Sequence, residues 1–241
     1  MRYAILADIH GNFDAFQSVL QDIDDRGGVD ELWCLGDIVG YGPEPSDCLA
    51  LLREHPHICV AGNHDWAAIG KIDATDFNPD AAAACKWTAG QLTIADKEYL
   101  QSLPRTATCG KFTLAHGSPR DPLNEYIFSA LSAAGNFRSF GTDYCLVGHT
   151  HVPAVFTDSE GHCLKASMPT VLHLGGVRSI INPGGVGQPR DGDPRAGYAI
   201  YDDVERVIYS YRIPYDITAV QEKMRERGLP VYLSERLSEG L

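Results

Sequence analysis

One α/β domain whose second half is mixed or antiparallel is the fold class this sequence predicts, and three observations predict it. Short apolar runs alternate with amphipathic stretches through the N-terminal half. Beyond "DYCLVGH" the helical spacing fades and strand-like runs follow one another through turns. The 241 residues are 44% hydrophobic and 22% charged, with no internal repeat, low-complexity tract or linker, so one large core over residues 1–241 is expected.

The elements follow in order. "RYAILA" (Arg2 to Ala7) is a buried strand, and Phe13, Phe16, Val19, Leu20 and Ile23 then recur at helical spacing behind Asn12, a good N-cap residue. "ELWCLG" and "HICVAG" repeat the strand pattern, with "SDCLALLREH" as the helix between them. An alanine-rich stretch from about Pro79 to Leu103 is the longest helical segment expected. "KFTLAHG", "DYCLVGH", "AVFTD", "VRSIIN", "YAIYD" and "VERVIYSYRI" read as strands, and a closing helix over Ile217 to Arg227 stops at Gly228-Leu229-Pro230.

Composition bounds the partners. A net charge of −12 argues against binding long nucleic acids and against anionic membranes, but a bound cation inverts the local field, so small phosphates remain open. The seven cysteines are scattered, without a C-x-x-C pair, and several sit in apolar runs, which fits buried thiols in a reducing cytosol. "MRYAILADIH" is a strand-sized run rather than a signal peptide, and no apolar stretch approaches a membrane span, so a cytoplasmic location is expected.

The chemistry lies in five short blocks: "ADIHGN", "GDIVGYGP", "GNHD", "AHGSPR" and "GHTH", at Ala7, Gly36, Gly62, Ala115 and Gly148 respectively. Each ends an apolar run with metal-type ligands, often beside a glycine that permits a tight turn. On an extended segment residues i and i+2 share a side, so Asp8 with His10, and His149 with His151, each present two ligands to one place. One D-x-H or H-x-H is weak; the set in this order points to two metals. His55, His57, His162 and His173 lie outside the blocks and read as structural or solvated.

In these blocks the sequence resembles the calcineurin-like metallophosphoesterase superfamily, whose pattern is D-x-H, G-D-x-x, G-N-H-[DE], a lone His, then G-H-[TS]-H. The C-terminal "NPGGVGQPRDGDPRAGY" is similar to that of a compact bacterial and archaeal phosphodiesterase group. The resemblance implies two mixed β-sheets packed face to face and flanked by helices, in four layers. It also implies one divalent ion on Asp8, His10, Asp37 and His151, and a second on Asp37, Asn63, His116 and His149. Asp37 would bridge ions about 3.5–4 Å apart, and the hydroxide they share would attack phosphorus in line. Two aspartates and one hydroxide leave a charge of roughly +1, which the neutral Asn63 carbonyl preserves. Manganese, iron, zinc and nickel all suit such nitrogen and oxygen ligands.

In that pattern His64 faces the substrate, stabilising the transition state or protonating the leaving oxygen. Asp65 either orients His64 or caps a helix, with the cap favoured. Tyr41 and Arg120 follow ligand-bearing loops and are expected to rim the pocket, Arg120 as a phosphate contact or as one half of a surface ion pair. The glycine-rich loop lacks the G-K-[ST] ending of a P-loop. It reads as a tight turn at the sheet edge nearest the metals. Arg190 and Arg195 either grip substrate from it or tie it to Asp191 and Asp193.

Departures narrow the function. Where the protein Ser/Thr phosphatase branch reads G-D-x-V-D-R-G, this chain reads "GDIVGYG" and lacks the aspartate and arginine. It also lacks the added length from which DNA-repair nucleases of the superfamily build a capping domain. The expectation is a dinuclear-metal-dependent hydrolase of small phosphoesters or nucleotides. The alternatives are a dinucleoside polyphosphate hydrolase or a non-catalytic scaffold of the same fold.

Overall fold

A computed structural model describes residues 1–159 and 161–241 of the chain. Three N-terminal strands, β1 (Arg2–Leu6), β2 (Glu31–Cys34) and β3 (His57–Cys59), run parallel. Their crossovers carry α1 (Phe13–Asp25) and α2 (Pro45–Arg53). On the other side of β1 lies β11 (Ala196–Asp202), antiparallel, followed by β12 (Val207–Ile213) and β9 (Val171–His173). The sheet order is β3-β2-β1-β11-β12-β9.

The second sheet has the order β4-β5-β6-β10-β7-β8. Its centre, β5 (Phe112–Ala115), β6 (Tyr144–Leu146) and β10 (Arg178–Asn182), is parallel. Antiparallel β4 (Thr106–Cys109) flanks it on one side, β7 (Ala154–Ser159) and β8 (His162–Ser167) on the other. Both sheets are therefore mixed.

Strand alternation sorts side chains between layers. Ala4 and Leu6 of β1 face Phe16, Val19 and Ile23 of α1 and Leu49 and Leu52 of α2. Ile5 turns the other way, with Trp33, Phe112, Leu146 and Ile181, into the space between the sheets. The outer face of the second sheet packs Cys145, Phe156 and Ile180 against Ala133 of α6 (Ala130–Asn136) and against Phe137. The result is the four-layer sandwich expected, and it explains why the central strands read as unbroken apolar runs: both of their faces are buried. All seven cysteines are free thiols, and none of the helices among the described residues is long and apolar enough to cross a membrane.

Some elements differ from the sequence expectation. The alanine-rich stretch is two helices, α4 (Pro79–Gln91) and α5 (Ile94–Ser102). The break is a capping box: Thr93 Oγ1 accepts from the Asp96 backbone N–H at 3.1 Å while Asp96 accepts from that of Thr93. The closing helix α7 (Ile217–Glu226) ends where expected, at Gly228 with φ +70°, but α8 (Val231–Glu235) follows it. Strand β8 carried no apolar signal because it is an edge strand with mostly exposed side chains.

Phe112 is buried between the sheets, with its ring 4.7 to 5.3 Å from those of Trp33, Tyr144 and Tyr201. Phe112→Ala is expected to lower unfolding free energy by about 3–5 kcal/mol in urea denaturation. A loss under about 1 kcal/mol would show that the sheets are not held by this contact.

Candidate metal centre

Six loops leave the C-terminal ends of the parallel strands, three from each sheet, and meet at one edge of the sandwich. The loop after β1 carries Asp8 and His10, that after β2 carries Asp37, and that after β3 carries Asn63 and His64 at the start of α3 (Asn63–Ala68). From the facing sheet come His116 after β5, His149 and His151 after β6, and the glycine-rich loop after β10. Loops at such positions converge because adjacent parallel strands end side by side.

The pleat argument for these ligands gives way to turn geometry. Asp8, His10, Asp37, His149 and His151 all have positive φ, between 50° and 64°, as does Tyr41. Non-glycine residues pay of order 1–2 kcal/mol each for this conformation. Cross-loop backbone bonds hold them there: His10 N–H to Asp37 O (2.9 Å), Gly148 N–H to His116 O (2.8 Å) and Gly187 N–H to Asp8 O (2.9 Å). Close contacts require glycine at several positions, Gly62 and Gly187 most tightly. A Cβ on Gly62 would stand 2.0 Å from Asp37 Oδ1, and one on Gly187 would stand 1.8 Å from Ile9 O.

The ligand-type atoms form two buried groups, Asp8 with His10 and His151, and Asp37 with His116 and His149, each within 4.8 Å. His149 and His151 thus part company, one to each group. Asn63 joins the second, its Oδ1 3.0 Å from His116 Nε2. Asp37 Oδ2 lies between the groups, 3.5 Å from His10 Nε2 and 3.3 Å from His116 Nε2, and has no hydrogen-bond donor.

Proton placement shows what these groups are built to hold. His10 Nδ1 is 3.1 Å from Val39 O, His151 Nδ1 2.6 Å from Gln188 O, His116 Nδ1 2.9 Å from Leu35 O, and His149 Nε2 3.3 Å from Asn124 O. A carbonyl only accepts, so each of those nitrogens carries a proton and each ring, when neutral, turns a lone pair inward. His10 Nε2 then faces His151 Nε2 at 3.2 Å, and His116 Nε2 faces His149 Nδ1 at 3.0 Å, acceptor against acceptor. With Asp8, Asp37 and Asn63 added and the rings neutral, both groups consist of acceptors alone. The complement of such a cluster is a cation, and histidines held by backbone carbonyls through their far nitrogen are the usual support of metal ligands.

Electrostatics agree. Burial pushes His10, His149 and His151 well below the usual histidine range and His64 down to about 4. Burial lifts Asp8 to about 7. Burial acts the same way on Asp37, but the facing histidines outweigh it and hold this carboxyl well below the carboxylate range. His116 is the exception among the rings: burial disfavours its charge, yet Asp37 and Asp8 lift it to about 9. The field at the centre of the second group therefore favours positive charge.

Asp65 does more than cap. At the third position of α3 it accepts from the N-cap Gly62 N–H at 2.9 Å, and also from Asp37, Ile38 and Val39 N–H at 2.8, 2.9 and 3.1 Å. One buried carboxylate thus fixes the turn that aims Asp37. His64 N–H donates to Asp37 Oδ1 at 2.9 Å, and its ring stands edge-on to His10 at 5.0 Å and beside Tyr41 at 4.4 Å.

The rim arginines divide. Arg190 donates to Gln188 Oε1 at 2.9 Å, has a buried Nε without a partner, and lies 5.6 Å from the Tyr41 ring centre. Its charge is felt at Asp8, His10, His64 and His151. Arg195 is instead paired with Asp193 at 2.6 Å, and Arg120 with Glu125, both at the surface. Sequence reasoning missed Asn124 and Gln188, which act through backbone carbonyls that carry no residue signature.

Residues 1–205 match the Calcineurin-like phosphoesterase superfamily domain. The chain is 37% identical over 248 residues to an uncharacterized protein of Methanocaldococcus jannaschii, covering 98% of this chain and 97% of that one. It superposes on a metallophosphoesterase from Sphaerobacter thermophilus with TM-score 0.89 and 46% identity, over 100% and 99% of the two chains. A more local likeness, 35% over 110 residues, links 39% of the chain to 41% of a symmetrical bis(5'-nucleosyl)-tetraphosphatase of Actinobacillus pleuropneumoniae. The chain belongs to the calcineurin-like phosphoesterase superfamily.

Asp65→Ala strands four buried N–H groups and is expected to cost at least about 3 kcal/mol in thermal or urea unfolding with chelator present. A loss under about 1 kcal/mol would mean that the turn holds itself.

Proposed function

We propose that this protein is a dinuclear-metal-dependent hydrolase of small phosphoesters. One ion is held by Asp8, His10, Asp37 and His151, and the other by Asp37, Asn63, His116 and His149. The observation that carries this reading is the convergence of ligand-type nitrogen and oxygen atoms on two adjacent points, with Asp37 Oδ2 unpartnered between them. Two divalent ions there supply an activated water and the positive charge that neutralises a phosphoryl transition state.

The chain's own residues supply the rest. Asp37 fixes the spacing of the two groups, and Asp65 fixes Asp37. His64 is held against Asp37 by its backbone and offers its ring to a phosphate oxygen or to the leaving oxygen. Arg190, with donors to spare, is the guanidinium placed to grip a non-bridging oxygen. Arg120 and Arg195 are occupied by carboxylates and act through the shape of their loops. The complete ligand set speaks against a non-catalytic scaffold.

Asp37→Asn is expected to reduce turnover of a chromogenic phosphodiester with manganese at least about a hundredfold in a folded protein. Retained activity contradicts the assignment. His64→Asn is expected to lower kcat by about 10²–10⁴ while metal content, read by elemental analysis, stays the same. Loss of metal in that variant would make His64 a ligand instead. The local likeness to a bis(5'-nucleosyl)-tetraphosphatase favours a second reading, hydrolysis of dinucleoside polyphosphates, decided by product analysis on diadenosine tetraphosphate.

A further inference from the structure

The family match stops at residue 205, yet the last helices of the chain pack onto two of the ligand-bearing loops. Val220 and Met224 of α7, Leu233 of α8 and Leu237 of the 3₁₀ turn Arg236–Ser238 are buried together with Tyr41, from the loop after β2. On that loop Pro43 O accepts from Arg227, and the Glu44 carboxylate accepts from Lys223 Nζ at 3.0 Å. On the glycine-rich loop Gly192 N–H donates to Gly240 O at 3.0 Å, and a Cβ on Gly240 would stand 2.8 Å from the Asp193 backbone. Val220, Met224 and Leu237 share a narrow gap with His10, Tyr41 and Gln188, so this segment reaches the edge of the metal centre.

Arg236 is the charge this segment brings. Its Nε donates to Leu241 O and its Cζ lies 5.6 Å from the Tyr232 ring centre, while its two terminal nitrogens have no partner among the described residues. Its charged neighbour is Arg190, which itself has a buried Nε without a partner. Burial first, and the Arg190 charge second, draw Arg236 below the usual arginine range, and no carboxylate offsets them. Tyr41 feels both guanidinium groups: burial lifts its hydroxyl, and the two charges oppose that rise. The acids nearest Arg190 in sequence are engaged elsewhere, Asp191 with Arg212 and Asp193 with Arg195. Two like charges held half-buried near one another repel, and an anion placed between them removes that cost.

We propose that Arg190 and Arg236 together form a second anion subsite beside the metal centre, so that the phosphoester processed there carries a further phosphoryl group. The inference rests on the phosphoesterase reading and adds the substrate class, a diphosphate or polyphosphate ester. Arg190, whose charge is felt at Asp8 and His10, lies nearest the ligand groups, and Arg236 lies next to it. A phosphoryl group at the metals therefore has Arg190 as its neighbour, and the next group along the substrate meets both guanidinium forks. Each fork donates to two phosphate oxygens at once, which a lysine in its place does not. A substrate with a single phosphoryl group leaves Arg236 unused.

The test compares methylphosphonate with methylenediphosphonate, whose P–C bonds a phosphoesterase does not hydrolyse, by calorimetry on the manganese-loaded protein. Chelation of free manganese is the same for every protein compared and cancels in the ratios between them. Arg236→Gln, which keeps most of the stem and removes the charge, is expected to weaken the diphosphonate about 10- to 150-fold and leave the monophosphonate unchanged. Arg236→Lys, which keeps the charge and loses the fork, is expected to show a smaller loss in the same direction. Neither variant should melt lower than the unsubstituted protein, since Arg236→Gln relieves a repulsion and Arg236→Lys preserves the stem. No loss in either variant, or equal losses for both ligands, would overturn the subsite. A lower melting temperature with equal losses would assign Arg236 to packing instead. The monophosphonate separates the two failures: if it binds and Arg236 does not matter, only the subsite falls, and if neither ligand binds, the phosphoesterase reading falls as well.

Discussion

Lone pairs pointed at lone pairs are the constraint on which the rest of this molecule depends. His10 and His151 meet at 3.2 Å and His116 and His149 at 3.0 Å, with one proton of each ring drawn off to a backbone carbonyl on its far side. No hydrogen bond can form across those gaps between neutral rings, and the carboxylates of Asp8 and Asp37 add only further acceptors. Such an arrangement is repulsive in itself and is maintained by the surrounding fold. Its natural complement is positive charge, which is why His116 alone among the buried rings favours protonation.

Holding acceptors together requires unusual backbone, and the sandwich is organised to supply it. Five of the ligand-type residues occupy left-handed conformations, held by cross-loop backbone bonds at Asp8, His10 and Asp37, by His149 N–H donating to the Asp8 carboxylate, and by the His151 ring donating to Gln188 O. Because the loops come from both sheets, the site exists only when the sheets are packed correctly. Trp33, Phe112 and Ile181 between the sheets thus set the distance between Asp37 and His116 as surely as Asp65 sets the direction of Asp37. The glycine-rich loop belongs to the same system. Gly187 lets it press on Ile9 and Asp8, Gln188 O receives the His151 proton, and Arg190 extends beyond it toward Tyr41.

Much of this was legible in the sequence, for a physical reason. Ligand side chains must be His, Asp or Asn, and they must follow strands and glycines, so the five blocks could be read one by one. The layers were legible in the apolar runs of the central strands. What escaped detection acts without a side-chain signature or against a weak pattern. The carbonyls of Asn124, Gln188, Val39 and Leu35 orient the rings, yet any residue has a carbonyl. Asp65 looked like a helix cap, and its bonds to Ile38 and Val39 depend on a turn twenty-odd residues earlier in the chain. The division of His149 and His151 between groups contradicts a simple pleat and follows from their positive φ.

The most direct test is crystallographic. Anomalous diffraction from manganese-soaked crystals is expected to show two ions per chain, one among Asp8, His10 and His151 and one among Asn63, His116 and His149, with Asp37 touching both. A single ion, or none in a correctly folded chain, would contradict the central claim that the facing lone pairs exist to hold two metals.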